Sequence, residues 1–387
     1  MLQSRTIKEA MLLQAKKYPI LALTGPRQSG KTTFLIELFE DYDYVSLEDI
    51  DTRTFAENDP RGFLNQYNNK VIFDEVQQVP SLFSYLQTKM DKDKIMGQYI
   101  LSGSQNFLLI QNISQSLAGR IALFQLFPFD IIEMKQANLL APDAAQVLIN
   151  GFYPAIYDRN IEQKVFYSNY IKTYLEKDVS LLMNVHDIRK FRNFLLLCAG
   201  RAAQLLNLSE LARDANISQP TAKAWLGVLE SSYITFQLQP YHKNFNKRVM
   251  KSPKLFFYDT GLVCHLLRIN KPETLQQSKH FGNLFENFAL AERIKQNAHL
   301  YLHHDFSFFR DSEGKEVDLI TETDNGIIAT EIKATKTITQ KLFSGLNFFE
   351  NLMKPEKIKK ELIYGGDEGQ KRTDFDVFAW NETNIKP

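Results

Sequence analysis

The feature that most constrains this 387-residue chain is a glycine-containing loop, GPRQSGKT, at residues 25–32. An apolar run, ILAL, precedes the loop, and apolar residues at helical spacing, FLIELF, follow it. This order predicts a strand, a loop and a helix, which is the context in which a G-x-x-x-x-G-K-[ST] sequence binds phosphate. Gly25 and Gly30 allow the backbone N–H groups to turn towards phosphate oxygens, and the helix N-terminus adds its positive end. A nucleoside triphosphate site is therefore expected here.

Two side chains at the end of the loop carry much of the expected chemistry. Lys31 is expected to reach the β and γ phosphates, and the Thr32 hydroxyl is expected to bind Mg²⁺. The predicted nucleotide contacts are the loop and the residue after it: Gly25, Pro26, Arg27, Gln28, Ser29, Gly30, Lys31, Thr32 and Thr33. A chance glycine–lysine turn is the alternative, and the flanking strand and helix disfavour it.

An acidic motif completes the predicted metal site. The segment KVIFDEVQQVP has a short buried-strand pattern at residues 71–73 that ends in two acids. Asp74 is the predicted Mg²⁺ ligand, usually through water, and Glu75 is predicted to polarise the attacking water. An edge strand that ends in solvated acids is the alternative.

Two later positions are candidates for the same site. The strand-like segment QYILSGSQN puts residues 102–105 at the carboxyl edge of a doubly wound sheet, and Ser104 is the candidate sensor of the γ-phosphate. A plain strand-to-loop turn explains the same residues. Arg120 precedes the apolar segment IALFQLF, and from this position its guanidinium could reach a phosphate. If Arg120 acts in trans as an arginine finger, the protein must form a homo-oligomer. A surface salt bridge is the alternative for Arg120.

Composition excludes several other classes of protein. The chain is 44% hydrophobic and 24% charged, as globular proteins are, and no segment approaches the roughly 18 uninterrupted apolar residues of a membrane helix. The first residues, MLQSRTIKEAMLLQAKK, lack a signal-peptide pattern, so a cytoplasmic protein with no membrane partner is expected. The net charge of +1 gives no global attraction to nucleic acid. Cys198 and Cys264 are too few and too far apart for a disulfide framework or a zinc site.

The middle third is predicted to be helical, with a helix-turn-helix near its end. Residues 136–200 place apolar side chains at three- and four-residue spacing. The segment NLSELARDANISQPTAKAWLGVLESSYI, from Asn207, resembles a helix-turn-helix, and YITFQLQPY would form its wing. The second helix would offer Gln219, Thr221 and Lys223 to DNA. Basic residues just downstream are candidates for phosphate contacts: Lys243, Lys247, Arg248, Lys251 and Lys254. An interdomain spacer with a solvated basic face is the alternative.

The C-terminal third is predicted to contain a helix followed by a β-meander. GNLFENFALAERIKQ has the pattern of an amphipathic helix, with Glu286 in its first half. Strands are predicted at residues 307–310, 316–321 and 327–333, with turns at the glycines between them. Asp318 and the pair E-x-K at residues 331–333 then fall on adjacent strands.

These charged residues match a known catalytic arrangement. Glu331 and Lys333 point to one face of their strand, where they are expected to converge with Asp318. The spacing resembles the D…E-x-K nuclease core, in which Asp318 and Glu331 would bind Mg²⁺ and Lys333 would position or activate water. Glu286 is the additional helical acid. Because the motif is short, a binding module that keeps the charges to hold nucleic acid or protein is the alternative.

The order of the motifs also resembles a known family. GPRQSGKT, VIFDEVQ, ILSGSQ, SLAGR and GFYPAIY follow one another as in a family of prokaryotic AAA-type ATPases whose C-terminal domain has no assigned function. The likeness spans essentially the whole chain and continues through YIKTYLEKDV, SPKLFFYDTGL and GNLFENFAL. It implies an ATPase domain, a helical and winged-helix middle, and a C-terminal domain similar to restriction-type nucleases.

The predicted fold class is therefore α/β with three regions. Residues 1–135 are predicted to form a P-loop, AAA-type ATPase domain, residues 136–250 a helical and winged-helix region, and residues 251–387 an α/β nuclease-like domain. The predicted function is Mg²⁺-dependent ATP hydrolysis that controls the C-terminal domain as a switch or motor. Two purposes stay open: DNA processing by an active nuclease site, or regulation through a C-terminal domain that only binds. ATP and Mg²⁺ are the expected ligands, and DNA or another protein is the candidate partner.

Overall fold

The computed structural model describes residues 4–104, 117–175, 188–241 and 252–382. The strands in these ranges are β1 Ile20–Thr24, β2 Asp43–Ser46, β3 Val71–Asp74, β4 Tyr99–Ser102, β5 Ile121–Gln125, β6 Gln204–Leu205, β7 Thr235–Pro240, β8 Lys254–Phe257, β9 Asp305–Arg310, β10 Glu316–Thr323, β11 Gly326–Lys333, β12 Ile358–Tyr364, β13 Gln370–Lys371 and β14 Asp376–Ala379.

The helices in the same ranges are α1 Lys8–Ala15, α2 Lys31–Leu38, α3 Ile50–Asn58, α4 Pro60–Gln66, α5 Leu82–Asp93, α6 Ile131–Gln136, α7 Ala144–Asn150, α8 Pro154–Asp158, α9 Gln163–Tyr170, α10 Ile188–Ala199, α11 Leu208–Asp214, α12 Gln219–Ser231, α13 Thr260–Leu266, α14 Pro272–Gln277, α15 Phe281–His299 and α16 Ser344–Met353. A π-helical segment, Ile171–Leu175, continues α9. Short 3-10 helices are present at Val76–Gln78 and Gln340–Phe343.

The N-terminal sheet consists of parallel strands in the order β2-β3-β4-β1-β5. β1 is apolar and buried along its whole length, as expected of a parallel strand with both faces covered. Side chains of α4 and α5, such as Phe63 and Leu86, pack on one face, and Met11 of α1 and Leu35 of α2 pack on the other. The predicted strand, loop and helix at residues 20–38 are confirmed, and the loop follows the carboxyl end of β1.

The middle of the chain is largely helical wherever the structure describes it. Helices α6 to α14 contribute to the largest apolar core, which includes Phe152, Phe194 and Trp225. This agrees with the helical prediction for residues 136–200, of which 176–187 lie outside the described ranges.

The helix-turn-helix segment leads directly into a second sheet. α11 and α12 are joined by a turn in which Asn216 has a φ of 53°, and Ser218 caps α12 by accepting the Thr221 N–H at 3.1 Å. The predicted wing segment forms β7, which pairs with β8 on one side and with β9 on the other. Residues 242–251, between β7 and β8, are not among the described residues.

The second sheet has the strand order β13-β14-β12-β11-β10-β9-β7-β8-β6 in the described part of the chain. β9, β10 and β11 form the predicted antiparallel meander. Phe349 of α16 packs against one face, and Leu290 of α15 packs against the other. Because β7 pairs with β8 and β9, the predicted boundary at residue 250 falls between strands of one sheet.

Two further features bear on the class of protein. Among the residues described, no helix combines the length and the apolar character that crossing a membrane requires. Cys198 and Cys264 are buried free thiols, and burial raises the pKa of both.

Candidate functional site

The loop between β1 and α2 has a backbone that requires glycine. Gly25 has a φ of 146°, and a Cβ at this position would lie 2.2 Å from the carbonyl oxygen of Leu126. Gly30, the N-cap of α2, has a φ of 91°. Both conformations lie in the region that L-residues with side chains rarely adopt. The tight turn expected of a phosphate-binding loop is therefore present.

Lys31 is buried, and its ammonium is held by the loop. Nζ donates hydrogen bonds to the carbonyl oxygens of Gly25 at 3.0 Å and Pro26 at 2.9 Å. Burial lowers the pKa of Lys31 to about 8, while the charges of Glu75 and Asp74 act in the opposite direction. Both of these acceptors are neutral, and charged phosphate oxygens would bind the ammonium more strongly.

Asp74 contacts Thr32 at the carboxyl end of β3. Thr32 Oγ1 donates to Asp74 Oδ2 at 2.9 Å, and the Tyr44 hydroxyl donates to the same oxygen at 2.7 Å. Ser102 Oγ donates to Asp74 Oδ1. The structure therefore brings the two predicted metal ligands together, and a hydroxyl beside a carboxylate is the kind of hard oxygen set that Mg²⁺ prefers. Tyr44 was missed because only the strand order places β2 beside β3. Ser102 was expected at this edge of the sheet, but its contact with Asp74 depends on the placement of β4 beside β3.

Glu75 and Ser104 are also in contact. Ser104 Oγ donates to Glu75 Oε2 at 3.2 Å, and Gln77 Nε2 donates to the same oxygen. Glu75 has a φ of 52°, an unusual conformation for a residue with a side chain. The predicted water-polarising acid and the predicted phosphate sensor therefore lie at one edge of the sheet, beside Asp74.

Arg120 does not join this group within one chain. It precedes β5, whose first residue pairs with Ile20 at the start of β1, whereas the loop follows the end of β1. Its Nε and Nη2 donate to the two carboxylate oxygens of Asp91 at 2.7 and 3.0 Å. The guanidinium is therefore at the opposite edge of the sheet from the loop, in a partly exposed salt bridge.

Arg5 supports the loop from the N-terminal segment. Its buried guanidinium donates from Nη1 to the carbonyl oxygen of Ser29 at 2.9 Å, and its Nε lies 3.0 Å from Glu133 Oε2. Arg5 also donates to the carbonyl oxygen of Phe127. Arg5 could not be assigned to the loop from the sequence, because a lone arginine well before the loop belongs to no pattern that places it there.

A buried polar network continues from Arg5 to the end of α15. Asp130 and Glu133 form a capping box at α6, and His299 Nδ1 lies 2.7 Å from Asp130 Oδ2. His299 Nε2 accepts the Phe127 N–H at 3.2 Å, so Nδ1 carries the proton donated to Asp130. Asp130, Glu133 and His299 have the spacing of metal ligands, but the guanidinium of Arg5 already neutralises Glu133 and would repel a further cation.

The predicted C-terminal group is assembled on β10 and β11. Lys333 Nζ lies 2.9 Å from Asp318 Oδ2 and 2.6 Å from Glu331 Oε1, and the Ile332 N–H donates to Asp318 Oδ2 at 2.8 Å. The register between β9 and β10 shifts between residues 317 and 320, so the regular pairing is interrupted at Asp318. Burial raises the pKa of Glu331, and the charge of Asp318 adds to this effect. The expected convergence of Asp318, Glu331 and Lys333 is confirmed.

Glu286 of α15 lies beside the same group and pairs with Lys254 of β8. The Lys254 side chain is 3% exposed, and its Nζ lies 2.7 Å from Glu286 Oε1 and also contacts Glu316 Oε1. Burial raises the pKa of Glu286, and the charge of Asp318 adds to this effect.

The predicted phosphate contact by Lys254 is wrong, because its ammonium is inside the protein. The other four basic residues of that prediction lie outside the described ranges: Lys243, Lys247, Arg248 and Lys251.

The surface predicted to meet DNA is small. Gln219 and Lys223 are exposed on α12, and Thr221 is half-buried. A DNA contact by α12 stays a prediction.

One cleft lies apart from these groups. It has a volume of about 570 Å³ and opens between β5, β7 and the end of α15. Aromatic side chains form much of its wall, including Phe124, Tyr258 and Tyr301. Neither Lys31 nor Asp318 lines it, so we place the chemistry at the loop and the acid cluster instead.

The fold and the loop define the class of protein. A glycine-dependent loop lies between a buried parallel strand and a helix, and the acid at the carboxyl end of β3 accepts a hydrogen bond from the threonine of that helix. This is the arrangement of a P-loop ATPase. Residues 17–135 match the family described as AAA domain, so the N-terminal region is an AAA-type ATPase domain. Residues 141–273 match a domain of unknown function (DUF8612), and residues 281–382 match another (DUF4143).

The chain belongs to the family of the uncharacterized proteins Rv2008c of Mycobacterium tuberculosis and Mb2031c of Mycobacterium bovis. Each is 30% identical over 324 residues, which cover 82% of this chain and 71% of the relative. Similar solved structures include the Walker-type ATPase PABY2304 of Pyrococcus abyssi, with 16% identity and a TM-score of 0.43 over 67% of this chain and 94% of that one. A RuvB variant of Thermotoga maritima has 15% identity and a TM-score of 0.33 over 60% of this chain and 88% of that one.

Proposed function

We propose that the N-terminal domain binds ATP with Mg²⁺, hydrolyses it, and controls the C-terminal domain as a switch or motor. The contact of Thr32 Oγ1 with Asp74 Oδ2, directly after the buried Lys31, carries this proposal. Thr32 and Asp74 would hold the Mg²⁺, which when bound offsets the negative charge of the β and γ phosphates.

The side chains of the loop and of the adjacent carboxyl edge of the sheet have different roles in the proposed hydrolysis. Lys31 exchanges its bonds to two loop carbonyls for bonds to phosphate oxygens, and the backbone N–H groups of residues 27–33 surround the phosphates. Glu75 polarises the attacking water, and Ser104 orients the Glu75 carboxylate through its hydrogen bond to Oε2. Arg120 contributes only in trans, because its own loop lies at the other edge of the sheet.

The direct test is steady-state ATP hydrolysis by the wild type and by Lys31→Ala. The variant loses the cation that faces the phosphates, so we expect its hydrolysis to fall to background while the fold is retained. A melting temperature close to that of the wild type is the control for folding. Unchanged turnover by the variant would refute the assignment of the loop.

A second function is proposed for the C-terminal cluster: metal-dependent cleavage of a phosphodiester. The observation that favours it is the convergence of Lys333 with Asp318 and Glu331, next to Glu286 on α15. Asp318 and Glu331 would hold the metal ion, and Lys333 would position the attacking water. A cluster that only binds nucleic acid or protein is the competing function.

Cleavage of single-stranded, duplex and branched DNA separates these two functions. We expect wild-type cleavage in the presence of Mg²⁺ or Mn²⁺ and none from Asp318→Ala. A change in the cleavage rate on adding ATP would show that the two regions communicate. Absence of cleavage on every substrate, with ATP hydrolysis intact, would favour the binding function.

A further inference from the structure

Three carboxylates of the C-terminal region converge around one point. Glu286, Glu316 and Asp318 each offer an oxygen, and these oxygens all lie within 4.8 Å of one another. They come from α15 and β10, so the fold and not the local sequence brings them together. Glu331, in the same cluster, is 8% exposed, and its Oε2 has no hydrogen-bond partner among the described residues. Such a group of hard oxygen ligands suits a divalent cation.

A lysine ammonium already lies at this point. Lys254 Nζ is 2.7 Å from Glu286 Oε1 and also contacts Glu316 Oε1. Both contacts join an ammonium to a carboxylate, and they hold the 3% exposed Lys254 within the acid cluster.

The backbone of Lys254 is held on several sides. On β8 it pairs with Leu238 of β7 and with Leu205 of β6. Asn287 of α15 fixes the same strand to the helix, because its Oδ1 accepts the Phe257 N–H and its Nδ2 donates to the Phe257 carbonyl, both at 2.8 Å. Since Asn287 follows Glu286 in the chain, the same helix turn positions the strand and the acid.

We propose that the Lys254 ammonium takes the place of a divalent cation between Glu286, Glu316 and Asp318, and closes the cluster to metal. The proposal rests on the second proposed function, in which this cluster is a metal site. A divalent ion and an ammonium cannot share the position, because they would repel each other at close range in a buried site. Metal binding therefore requires Lys254 to leave, and Lys254 is a gate to the site.

The test compares Mn²⁺ binding by the wild type and by Lys254→Met in the absence of nucleotide. Methionine has a similar length but no charge, so we expect the variant to bind one Mn²⁺ at least about tenfold more tightly, as measured by electron paramagnetic resonance of the free ion. Adding Asp318→Asn to the variant should abolish this binding. Arginine at position 254 keeps the charge, so Lys254→Arg should bind like the wild type.

Thermal unfolding gives an independent readout. Lys254→Met removes the cation that pairs with the largely buried carboxylate of Glu286, so its melting temperature in a chelator should fall below that of the wild type, and Mn²⁺ should restore it. Lys360→Met is the matched control, because Lys360 is also largely buried and lies 2.8 Å from Glu350 Oε2. Its melting temperature should fall without any recovery on adding Mn²⁺.

The possible outcomes test the role of Lys254 separately from the existence of the metal site. Equal Mn²⁺ affinity in the wild type and Lys254→Met, lost on adding Asp318→Asn, would overturn the role of Lys254 but keep the metal site. No Mn²⁺ binding by any variant would remove the metal site and, with it, the second proposed function. If Lys254→Met does not fold in chelator, recovery with Mn²⁺ supports the proposal. Failure to fold with Mn²⁺ as well, repeated with Lys254→Ala, would overturn it.

Discussion

The charge of Lys31 depends on what surrounds it, and this makes nucleotide binding sensitive to pH. In the nucleotide-free protein, burial lowers the pKa of Lys31 to about 8. Phosphate oxygens would raise this pKa, so ATP binds preferentially to the protonated protein. The affinity for ATP is therefore expected to be constant below about pH 7 and to weaken as the pH rises through about 8. At higher pH, the loss of affinity should approach tenfold per pH unit.

Titration of a fluorescent ATP analogue between about pH 6.5 and 9.5 measures this dependence. Lys31→Arg is the matched control, since arginine stays charged throughout and its affinity should vary little with pH. An equally flat profile for the wild type would contradict the lowered pKa.

Residues that act within a local motif could be predicted from the sequence, and those that act across the fold could not. Asp318 and Lys333 were found because alternation along adjacent strands directs them to one face. Arg5 and Lys254 were not assigned their observed contacts, because each depends on a remote element: Arg5 on the loop, Lys254 on α15. A lysine in an unassigned segment is expected to be solvated, because lysines are rarely buried unless they are paired. Lys254 is buried because it pairs with Glu286 and Glu316, and nothing in the local sequence indicates these partners.

At the scale of elements, α15 connects the two candidate sites. Glu286, near its beginning, belongs to the acid cluster, and His299, its last residue, lies 2.7 Å from Asp130 in the network that reaches the loop through Arg5. At about 1.5 Å per residue, the helix carries these two groups roughly 20 Å apart. If nucleotide controls the C-terminal region, as proposed above, α15 is the element through which we expect a shift of the loop backbone to reach Glu286.

Loss of the Arg5 contact to the loop should weaken ATP binding. Lysine at position 5 cannot keep the bonds to Ser29, Phe127 and Glu133 together, so Arg5→Lys should weaken ATP affinity by about tenfold, the value of one charge-assisted hydrogen bond. Isothermal titration with ATP measures the change, and a melting curve checks the fold.

The matched control for Arg5 is Arg120→Lys. Arg120 pairs with the partly exposed Asp91 at the other edge of the sheet, so its ATP affinity as a monomer should change less than about twofold. Equal effects of the two substitutions would contradict a specific role for Arg5 in supporting the loop.

Individual strands and helices were readily predicted, whereas their assembly was not. Buried apolar runs and alternating segments mark β1, β3, β10 and β11, and their bounds agree with the structure to within a few residues. The pairing of β7 with β9 has no local signal, because Gln239 and Pro240 contact Ser307 and Phe308 far along the chain. Sequence periodicity specifies which face of a strand is buried, but not which strand lies next to it.

At the scale of the whole molecule, the two sheets carry the two candidate chemistries, and α15 spans between them. The loop lies at the carboxyl edge of the N-terminal sheet, and the acid cluster lies where β8, β10, β11 and α15 meet. We propose that this molecule hydrolyses ATP at the first of these sites. Glu75 distinguishes hydrolysis from binding alone, since binding requires only the loop and its metal ligands.

The most direct measurement is ATP turnover and nucleotide retention by Glu75→Gln in the presence of Mg²⁺. Glutamine keeps the size of the side chain and its contact with Ser104 but cannot polarise the water as a carboxylate does. We predict that hydrolysis falls by at least about a hundredfold, as for loss of a general base, while intact ATP stays bound through gel filtration. Hydrolysis at the wild-type rate, or loss of ATP binding in the folded variant, would contradict the account.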